Sequence, residues 1–379
     1  MKWIFSIFPA LLSGFLFLNN DASQIGKDRI HIAGNYIVEE TYDGPYVFYK
    51  NDSIFIKYIK SNDGAITLNG DSTPLSAKNN VLLKVSTDDP GKTFDVKLKE
   101  KLKNEKAEYS KVQKILALSD IEGNFGALRK LLQGNGVIDS GFNWIFGKGH
   151  LVLGGDFFDR GDQVTEVLWF IYSLEEKAIA AGGYVHFILG NHEIMNLSND
   201  LRYLNSKYLN SATLMNSKYQ SLYDDQTELG RWLRTKNVVE KIGSTLFMHA
   251  GISAEINRLG IPVSEINKSA RPWYADTTYE YKDLQTEYIM GDTGPFWYRG
   301  YYTGTRRITY QQIDSTLTNF NVKHIVTGHT IVADTISVWY DGRVLNTDVH
   351  HAEGKSEALL IEENKFYRVN NQGNKTPLL

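Results

Sequence analysis

Short apolar runs alternate with segments of helical periodicity across residues 112–370. Residues 115–118 predict a buried strand, and the next segment places Phe125 and Leu128 on one face of a helix that ends near Gly134. Further apolar runs predict buried strands at residues 151–153, 185–189, 246–248 and 325–326, and a helix across residues 167–174. This alternation is typical of an α/β fold, in which helices cover a buried sheet.

Residues 26–105 have a different pattern, with short β-rich bursts such as residues 94–96 and turn-forming clusters such as residues 88–91. They predict a small β-rich N-terminal module. The charged stretch at residues 97–111 is the predicted linker between this module and the domain formed by residues 112–370.

Residues 1–22 predict a targeting segment. Lys2 precedes an apolar stretch at residues 3–18, and polar residues follow it, as in a secretory signal peptide. We therefore expect an exported protein, periplasmic or secreted, that contacts the membrane only if this segment stays uncleaved as an anchor. A buried N-terminal helix is the alternative interpretation.

Composition and charge limit the possible binding partners and metal ligands. The chain has 379 residues and a net charge of -3, so it lacks the overall basic character of a nucleic-acid-binding protein, and no nucleic-acid partner is expected. It contains no cysteine, which excludes disulfides and thiolate metal sites. Any bound metal must use Asp, Glu, His, Asn or water as ligands.

Polar clusters follow five predicted strands. They contain carboxylate, amide and imidazole side chains beside glycines, namely Asp120 with Glu122, Asp156 with Asp159 and Arg160, Asn191 with His192, His249, and His329. The carboxyl ends of strands in an open α/β sheet meet at one edge, so we expect these side chains to lie together. Two divalent metal ions held there would polarise a phosphoryl group and lower the pKa of a bound water.

The order of these clusters resembles the calcineurin-like metallophosphoesterase superfamily, and within it the phosphoprotein-phosphatase branch and related bacterial phosphatases. The similarity covers residues 114–348 and depends most on Gly-Asp-x-x-Asp-Arg-Gly at residues 155–161 and Gly-Asn-His-Glu at residues 190–193. The resemblance implies a β-sandwich flanked by helices, with residues 112–370 as the catalytic domain. It also implies direct attack of a metal-bound hydroxide on a phosphomonoester, without a phosphoenzyme.

The resemblance assigns the metal ligands position by position. Asp120 would bind the first metal, and Asp156 would bridge the two metals. Asn191, His249 and His329 would complete the second metal site. Manganese, iron, magnesium and zinc are the candidate ions.

The resemblance also assigns the groups that act on the substrate. His192 would protonate the leaving-group oxygen, and Asp159 would orient its ring. Arg160 would bind the non-bridging phosphate oxygens, and Arg299 resembles a second phosphate clamp. Glu193 is expected to accept hydrogen bonds from loop amides.

Glu122 departs from the family pattern, which usually has His at this position. As a direct or water-mediated ligand it would give the first metal three carboxylates, which favours manganese, magnesium or iron over zinc. Manganese is our preferred expectation. Alternatively, Glu122 is a surface or supporting group.

Several functions remain open at this stage. The motifs fit a phosphatase acting on a phosphorylated small molecule or a phosphoprotein. They also fit a hydrolase of nucleotides or dinucleoside polyphosphates, because they recognise phosphate and not what is attached to it. An inactive exported binding protein is the third possibility. His350 and His351 follow a predicted strand and are interpreted as a surface pair outside the site, the alternative being that they approach it.

Overall fold

The structure, a computed structural model, describes residues 40–62, 65–305 and 307–379. The predicted targeting segment and the first part of the N-terminal module lie outside the described residues. In the described part of the chain, the β-strands are β1 (Glu40–Lys50), β2 (Ser53–Asn62), β3 (Ala65–Pro74), β4 (Leu82–Ser86), β5 (Thr93–Lys97), β6 (Glu108–Tyr109), β7 (Lys114–Leu118), β8 (His150–Leu153), β9 (Tyr184–Phe187), β10 (Val239–Ile242), β11 (Thr245–Met248), β12 (His324–Thr327), β13 (Ser337–Trp339), β14 (Val344–Asn346), β15 (Glu357–Glu362), β16 (Lys365–Asn370) and β17 (Lys375–Pro377). The α-helices are α1 (Phe125–Gly134), α2 (Val164–Ala180), α3 (Asn191–Leu197), α4 (Ser206–Leu214), α5 (Glu228–Leu233), α6 (Ala254–Leu259), α7 (Val263–Ala270), α8 (Leu284–Met290) and α9 (Tyr310–Asn319).

Two six-stranded sheets pack face to face at the centre, with strand orders β13-β14-β12-β11-β10-β6 and β17-β16-β15-β7-β8-β9. Side chains alternate between the two faces of each strand. In β7, Ile115 and Ala117 pack against Phe247 and Val326 of the opposite sheet, whereas Leu116 belongs to the core beneath the helices. The predicted fold, a β-sandwich flanked by helices, is confirmed.

Parallel strands bring the polar clusters to common edges. β7, β8 and β9 are parallel neighbours, and so are β11, β12 and β14. Residues 119–124, 154–161 and 188–191 follow the first three strands, and His249 and His329 follow strands of the other sheet. The five clusters therefore all lie at the carboxyl ends of strands.

Helix α1 begins and ends where its sequence predicts. The Asn124 side chain caps it by accepting a hydrogen bond of 3.0 Å from the Ala127 amide. Phe125 and Leu128 are buried on its inner face. The helix ends at Gly134, where an added Cβ would lie 2.2 Å from the Asn371 carbonyl oxygen.

The described part of the N-terminal module is β-rich, as predicted. It contains the antiparallel sheet β1-β2-β3 and the hairpin β4-β5. Phe94 of β5 packs against Phe170 of α2, with ring centroids 5.5 Å apart. The buried Asp43 carboxylate accepts hydrogen bonds from Tyr46 (2.8 Å), Thr165 (2.9 Å) and Ser211 (2.5 Å). These contacts join β1 to α2 and α4.

The charged stretch predicted as a linker docks onto the sheet that contains β10. Within it, β6 pairs in parallel with β10. The buried Lys236 ammonium lies 2.8 Å from Glu105 and 2.6 Å from Glu175, and Lys99 also pairs with Glu175. The side chains of this stretch thus neutralise charges that the domain buries. Within the described residues, no helix has both the length and the apolar character needed to cross a membrane.

The Asp43 contacts generate a stability prediction. Asp43→Ala leaves three buried hydroxyls without their acceptor, so the free energy of unfolding should fall by about 3 kcal/mol. Urea denaturation followed by tryptophan fluorescence measures this change. As a matched control, Asp89→Ala removes an exposed carboxylate 2.9 Å from Lys92, and should cost less than about 1 kcal/mol. Equal effects of the two substitutions would show that Asp43 does not anchor the module.

Candidate metal centre

The loops that carry the predicted ligands turn through left-handed backbone. Asp120, Asp156 and His329 have φ angles of +55°, +61° and +67°. Such conformations cost about 1 kcal/mol or more each for residues other than glycine and tend to occur at functional sites. Neighbouring glycines permit the close approach of the loops, since a Cβ on Gly190 would lie 2.3 Å from Asp156 Oδ1. The turns direct short side chains back toward one centre.

Four predicted ligands meet around His249. Its Nε2 atom lies 2.9 Å from Asn191 Oδ1, 3.1 Å from His329 Nδ1 and 3.1 Å from Asp156 Oδ2. All four residues are buried. The structure therefore brings together the complete predicted ligand set of the second metal.

Backbone carbonyls fix the ring orientations of the two histidines. The other ring nitrogen of His249, Nδ1, lies 2.8 Å from the Gly154 carbonyl oxygen, and His329 Nε2 lies 3.1 Å from the Trp297 carbonyl oxygen. Each of these nitrogens must donate a proton to its carbonyl. In the neutral rings, the remaining nitrogens then present lone pairs to the centre, as metal-ligating histidines do.

The chemistry of this group fits a divalent cation. When both rings are neutral, His249 Nε2, His329 Nδ1, Asn191 Oδ1 and Asp156 Oδ2 are all acceptors, as the ligands of a cation must be. Burial lowers the pKa of His249, but the charges of Asp156 and Asp120 outweigh it and raise this pKa to about 9, so a proton on His249 takes the place of the cation when none is bound. Among the described residues, no lysine or arginine forms an ion pair with Asp156. Burial lowers the pKa of His329 far below its usual value, which keeps that ring neutral and able to bind a metal.

Asp120 lies at the same centre from the β7 side. Its Oδ2 atom accepts a hydrogen bond of 3.2 Å from the His329 amide. Burial raises the pKa of Asp120 to about 6, with a further contribution from the charge of Asp156 and an opposing one from His249. A cation bound between the two carboxylates would remove this repulsion.

Glu122 lies between Asp156 of the centre and Arg160. Ligand atoms of Glu122, Asp156 and His192 fall within 4.8 Å of one another, while the Glu122 carboxylate also pairs with the Arg160 guanidinium. Its position permits metal ligation, and the ion pair with Arg160 permits the supporting role that is the alternative.

His192 and Asp159 form a buried dyad. His192 Nδ1 lies 2.7 Å from Asp159 Oδ2, and His192 Nε2 lies 3.6 Å from Asp156 Oδ2. Burial lowers the pKa of His192, but the charges of Asp156 and Asp159 outweigh it and raise this pKa to about 9. The ring is therefore protonated near neutral pH and can act as an acid.

The dyad is held by two residues that the sequence interpretation missed. Asn196 donates a hydrogen bond of 2.8 Å to Asp159 Oδ1, and its own side-chain oxygen accepts one of 2.6 Å from Tyr219. Asn196 lies one helical turn after His192 on α3, so helical spacing was a signal that could have indicated it.

The two arginines predicted as phosphate clamps both line the cavity that contains the centre, Arg160 near His192 and Arg299 next to His329. Arg160 has a half-exposed guanidinium 5.4 Å from the Tyr203 ring, and its amide donates to the Tyr203 carbonyl (3.0 Å). The Tyr203 ring also lies 5.2 Å from the His192 ring. Arg299 donates to the His329 carbonyl (2.6 Å) and to Thr330 Oγ1 (3.1 Å). Tyr203 was not predicted and forms a wall next to His192.

Glu193 joins the two main loops, and its predicted contact with loop amides is confirmed. One carboxylate oxygen accepts from the amides of Asp156 (2.9 Å) and Gly190 (2.6 Å). The other accepts from those of Phe157 (2.7 Å) and Phe158 (3.3 Å). A single buried side chain thus satisfies four amides that no strand or helix pairs.

The turn after β14 supplies groups that the sequence interpretation left out. Asp348, His350 and His351 line the same cavity as the centre. Burial, then the charges of Asp120 and Asp156, raise the pKa of Asp348 well above its usual value. The prediction of a surface histidine pair was wrong, because His351 is buried. Asp348 follows an apolar strand, as the other clusters do, and this pattern could have indicated that it belongs to the site.

Comparisons with known proteins are consistent with this geometry. The family model for calcineurin-like phosphoesterases matches residues 113–333. The crystal structure of a cold-active protein-tyrosine phosphatase from a psychrophilic Shewanella species matches with a TM-score of 0.80 at 36% identity, covering 89% of this chain and 99% of that one. Its match extends well beyond the residues of the family model.

Two curated relatives are more distant in sequence. Shewanella-like protein phosphatase 2 of Arabidopsis thaliana is 23% identical over 295 residues, which cover 66% of this chain and 74% of the relative. Shewanella-like protein phosphatase 1 of Plasmodium berghei is 28% identical over 228 residues, which cover 57% of this chain and 61% of the relative. Both alignments cover more than half of each chain.

The contacts of Glu193 lead to a prediction for metal binding. In Glu193→Gln, an amide NH₂ group faces backbone N–H donors, so the two loops should separate and Mn²⁺ affinity should fall about tenfold or more. Isothermal titration calorimetry measures this affinity. Glu176→Gln, at an exposed position on α2, is the matched control and should bind Mn²⁺ like the wild type. Unchanged affinity in Glu193→Gln would contradict this role.

Proposed function

Because this chain belongs to the calcineurin-like phosphoesterase family, in the branch that resembles phosphoprotein phosphatases, we propose that it hydrolyses phosphomonoesters with two divalent metal ions. Membership of this family makes it a hydrolase of phosphoric esters. We further propose phosphotyrosine in proteins as its first candidate substrate.

The observation that carries this proposal is the set of residues that line one cavity. A space of about 490 Å³ is lined by the predicted metal ligands Asp120, Asp156 and His329 together with His192, Arg160 and Arg299. A phosphate group there would face the metal ligands, an acid and two guanidinium groups at once. These are the groups that phosphate ester hydrolysis requires.

The proposed ligands divide between two ions. Asn191, His249, His329 and Asp156 would hold one, and Asp156 with Asp120 would hold the other, with Glu122 as an additional ligand. Bound there, the ions would polarise the phosphoryl oxygens and lower the pKa of a coordinated water. The carboxylate-rich first site supports manganese, with iron or magnesium as alternatives.

The protein groups complete the reaction. Arg160 and Arg299 would bind non-bridging phosphate oxygens. They would thereby orient the phosphoryl group so that the attacking oxygen and the leaving group lie on opposite sides of phosphorus. His192 would transfer its Nε2 proton to the leaving-group oxygen as the ester bond breaks. Asp159, 2.7 Å from Nδ1, keeps the other ring proton in place and stabilises the charged ring.

The substrate proposal comes from the matched structure. That protein is described as a protein-tyrosine phosphatase and shares 36% identity with this chain. Nucleotides and dinucleoside polyphosphates are the competing substrates, since the two arginines would bind the phosphate group and not what is attached to it. Product analysis separates them.

The direct test uses the purified chain, stripped of metal with chelator and reloaded with Mn²⁺, Fe²⁺, Mg²⁺ or Zn²⁺ singly. Substrates are p-nitrophenyl phosphate, a phosphotyrosyl peptide and diadenosine tetraphosphate. We expect metal-dependent turnover of the first two, highest with Mn²⁺, and its loss by about 100-fold or more in Asp156→Asn. Asp89→Asn, at an exposed turn, is the control and should retain full turnover. Turnover of the dinucleotide alone would instead favour the nucleotide hydrolase.

The role of His192 predicts a dependence on the leaving group. Phenolate leaves poorly without a proton, so His192→Asn should lower kcat on phenyl phosphate by about 100-fold or more. The loss on p-nitrophenyl phosphate should be much smaller, because p-nitrophenolate leaves unprotonated. His324→Asn, a histidine hydrogen-bonded to the Gly342 carbonyl, is the control and should leave both rates unchanged. Equal losses on the two esters would exclude His192 as the acid.

A further inference from the structure

A second cavity adjoins the catalytic cavity at Arg160. It has a volume of about 720 Å³, and Arg160 lines both spaces. Ser61 and Ser86 of the N-terminal module form one wall. Asp162 and the first residues of α4, including Lys207, form the other. A ligand that extends from the phosphate site past Arg160 would enter this space.

Most charges in the second cavity are already paired within the protein. Asp88 accepts two hydrogen bonds from the Arg129 guanidinium, of 2.7 and 2.6 Å. Lys207 donates to the Asp162 carbonyl oxygen (2.5 Å) and lies 3.6 Å from Glu166 Oε1. These groups are therefore not available as the main contacts of a charged ligand.

Asp162 is the carboxylate in the cavity that retains accessible acceptor capacity. The exposed Asp162 carboxylate forms no ion pair and no side-chain hydrogen bond with the described residues. Glu166 is 4% exposed, and its Oε2 atom has no hydrogen-bond partner within the described part of the chain. Because Glu166 Oε2 is itself buried, the carboxylate that a ligand in the cavity can reach is that of Asp162. The cavity thus complements a ligand with N–H donors and positive charge.

The distance from the phosphate site limits where this charge can lie. Asp162 is two residues after Arg160, so their Cα atoms are at most about 7 Å apart. A substrate bound with its phosphate at Arg160 would place a side chain one to three residues away within reach of Asp162. The remaining wall residues, among them Ser61, Ser86 and Asn205, suit hydrogen bonds to a peptide backbone.

We propose that the second cavity binds the polypeptide flanking the phosphorylated residue and selects a Lys or Arg close to it through Asp162. This proposal rests on the phosphatase function proposed above and specifies its substrate as a phosphoprotein. It also gives the N-terminal module a role, because that module supplies one wall of the cavity.

The first test compares phosphopeptides that differ at one position. One member of each pair has Arg two residues from the phosphorylated residue and the other has Ala, in a phosphotyrosine and a phosphoserine series. The wild type should hydrolyse the Arg peptide with a kcat/KM about two- to fivefold higher, as for a partly exposed ion pair. Asp162→Asn should abolish this preference, while its turnover of p-nitrophenyl phosphate stays unchanged.

The second test fills the cavity from the N-terminal module. Ser86→Trp should lower kcat/KM on both peptides by about fivefold or more, the factor that corresponds to about 1 kcal/mol of lost contact. Turnover of p-nitrophenyl phosphate should not change. Leu82→Trp is the matched control, since Leu82 lies on the same strand, is exposed, and does not line the cavity.

The outcomes separate the two proposals. Equal kcat/KM for the Arg and Ala peptides, or no effect of Ser86→Trp, would overturn the peptide site even if p-nitrophenyl phosphate is hydrolysed well. Hydrolysis of p-nitrophenyl phosphate with no turnover of any peptide would overturn it as well. Absence of turnover on every substrate with every metal would refute the phosphatase function itself.

Discussion

The structure around the centre must hold several polar side chains close to His249 in a buried space. His249 Nε2 lies 2.9 Å from Asn191 Oδ1 and 3.1 Å from both His329 Nδ1 and Asp156 Oδ2, so two imidazoles, an amide and a carboxylate share one buried space. To keep them there, the loops adopt costly left-handed backbone, and the Gly154 and Trp297 carbonyls fix the ring tautomers. The ligand set is thus organised by the protein before any cation is considered, which limits the reorganisation that binding requires.

The N-terminal module supports this organisation from outside. Asp43 bonds to Thr165 in the first turn of α2, and α2 directly follows the loop that carries Asp156 and Arg160. Packing of Phe94 against Phe170 fixes the same helix further along. The module therefore packs against the helix that follows the loop carrying Asp156 and Arg160.

Sequence periodicity predicted the central strands because their side chains face apolar layers on both sides, and it predicted α1 because the apolar side chains of this helix lie on one buried face. The motif residues were predicted from their chemistry at strand ends, and the structure brings them together. The charged stretch was misleading, because Lys99 and Glu105 pair with buried partners that are distant in the sequence. His351 was assigned to the surface for a similar reason, since the turn after β14 folds back into the cavity. Local sequence carries no information on such long-range contacts.

Glu193 has a consequence for how such enzymes diverge. Its carboxylate belongs to the Gly-Asn-His-Glu loop, but three of its four amide donors, at Asp156, Phe157 and Phe158, belong to the Gly-Asp-x-x-Asp-Arg-Gly loop. Neither loop can be exchanged for that of a homologue unless the incoming geometry matches the other. Recombination or loop grafting therefore has to transfer the two loops together.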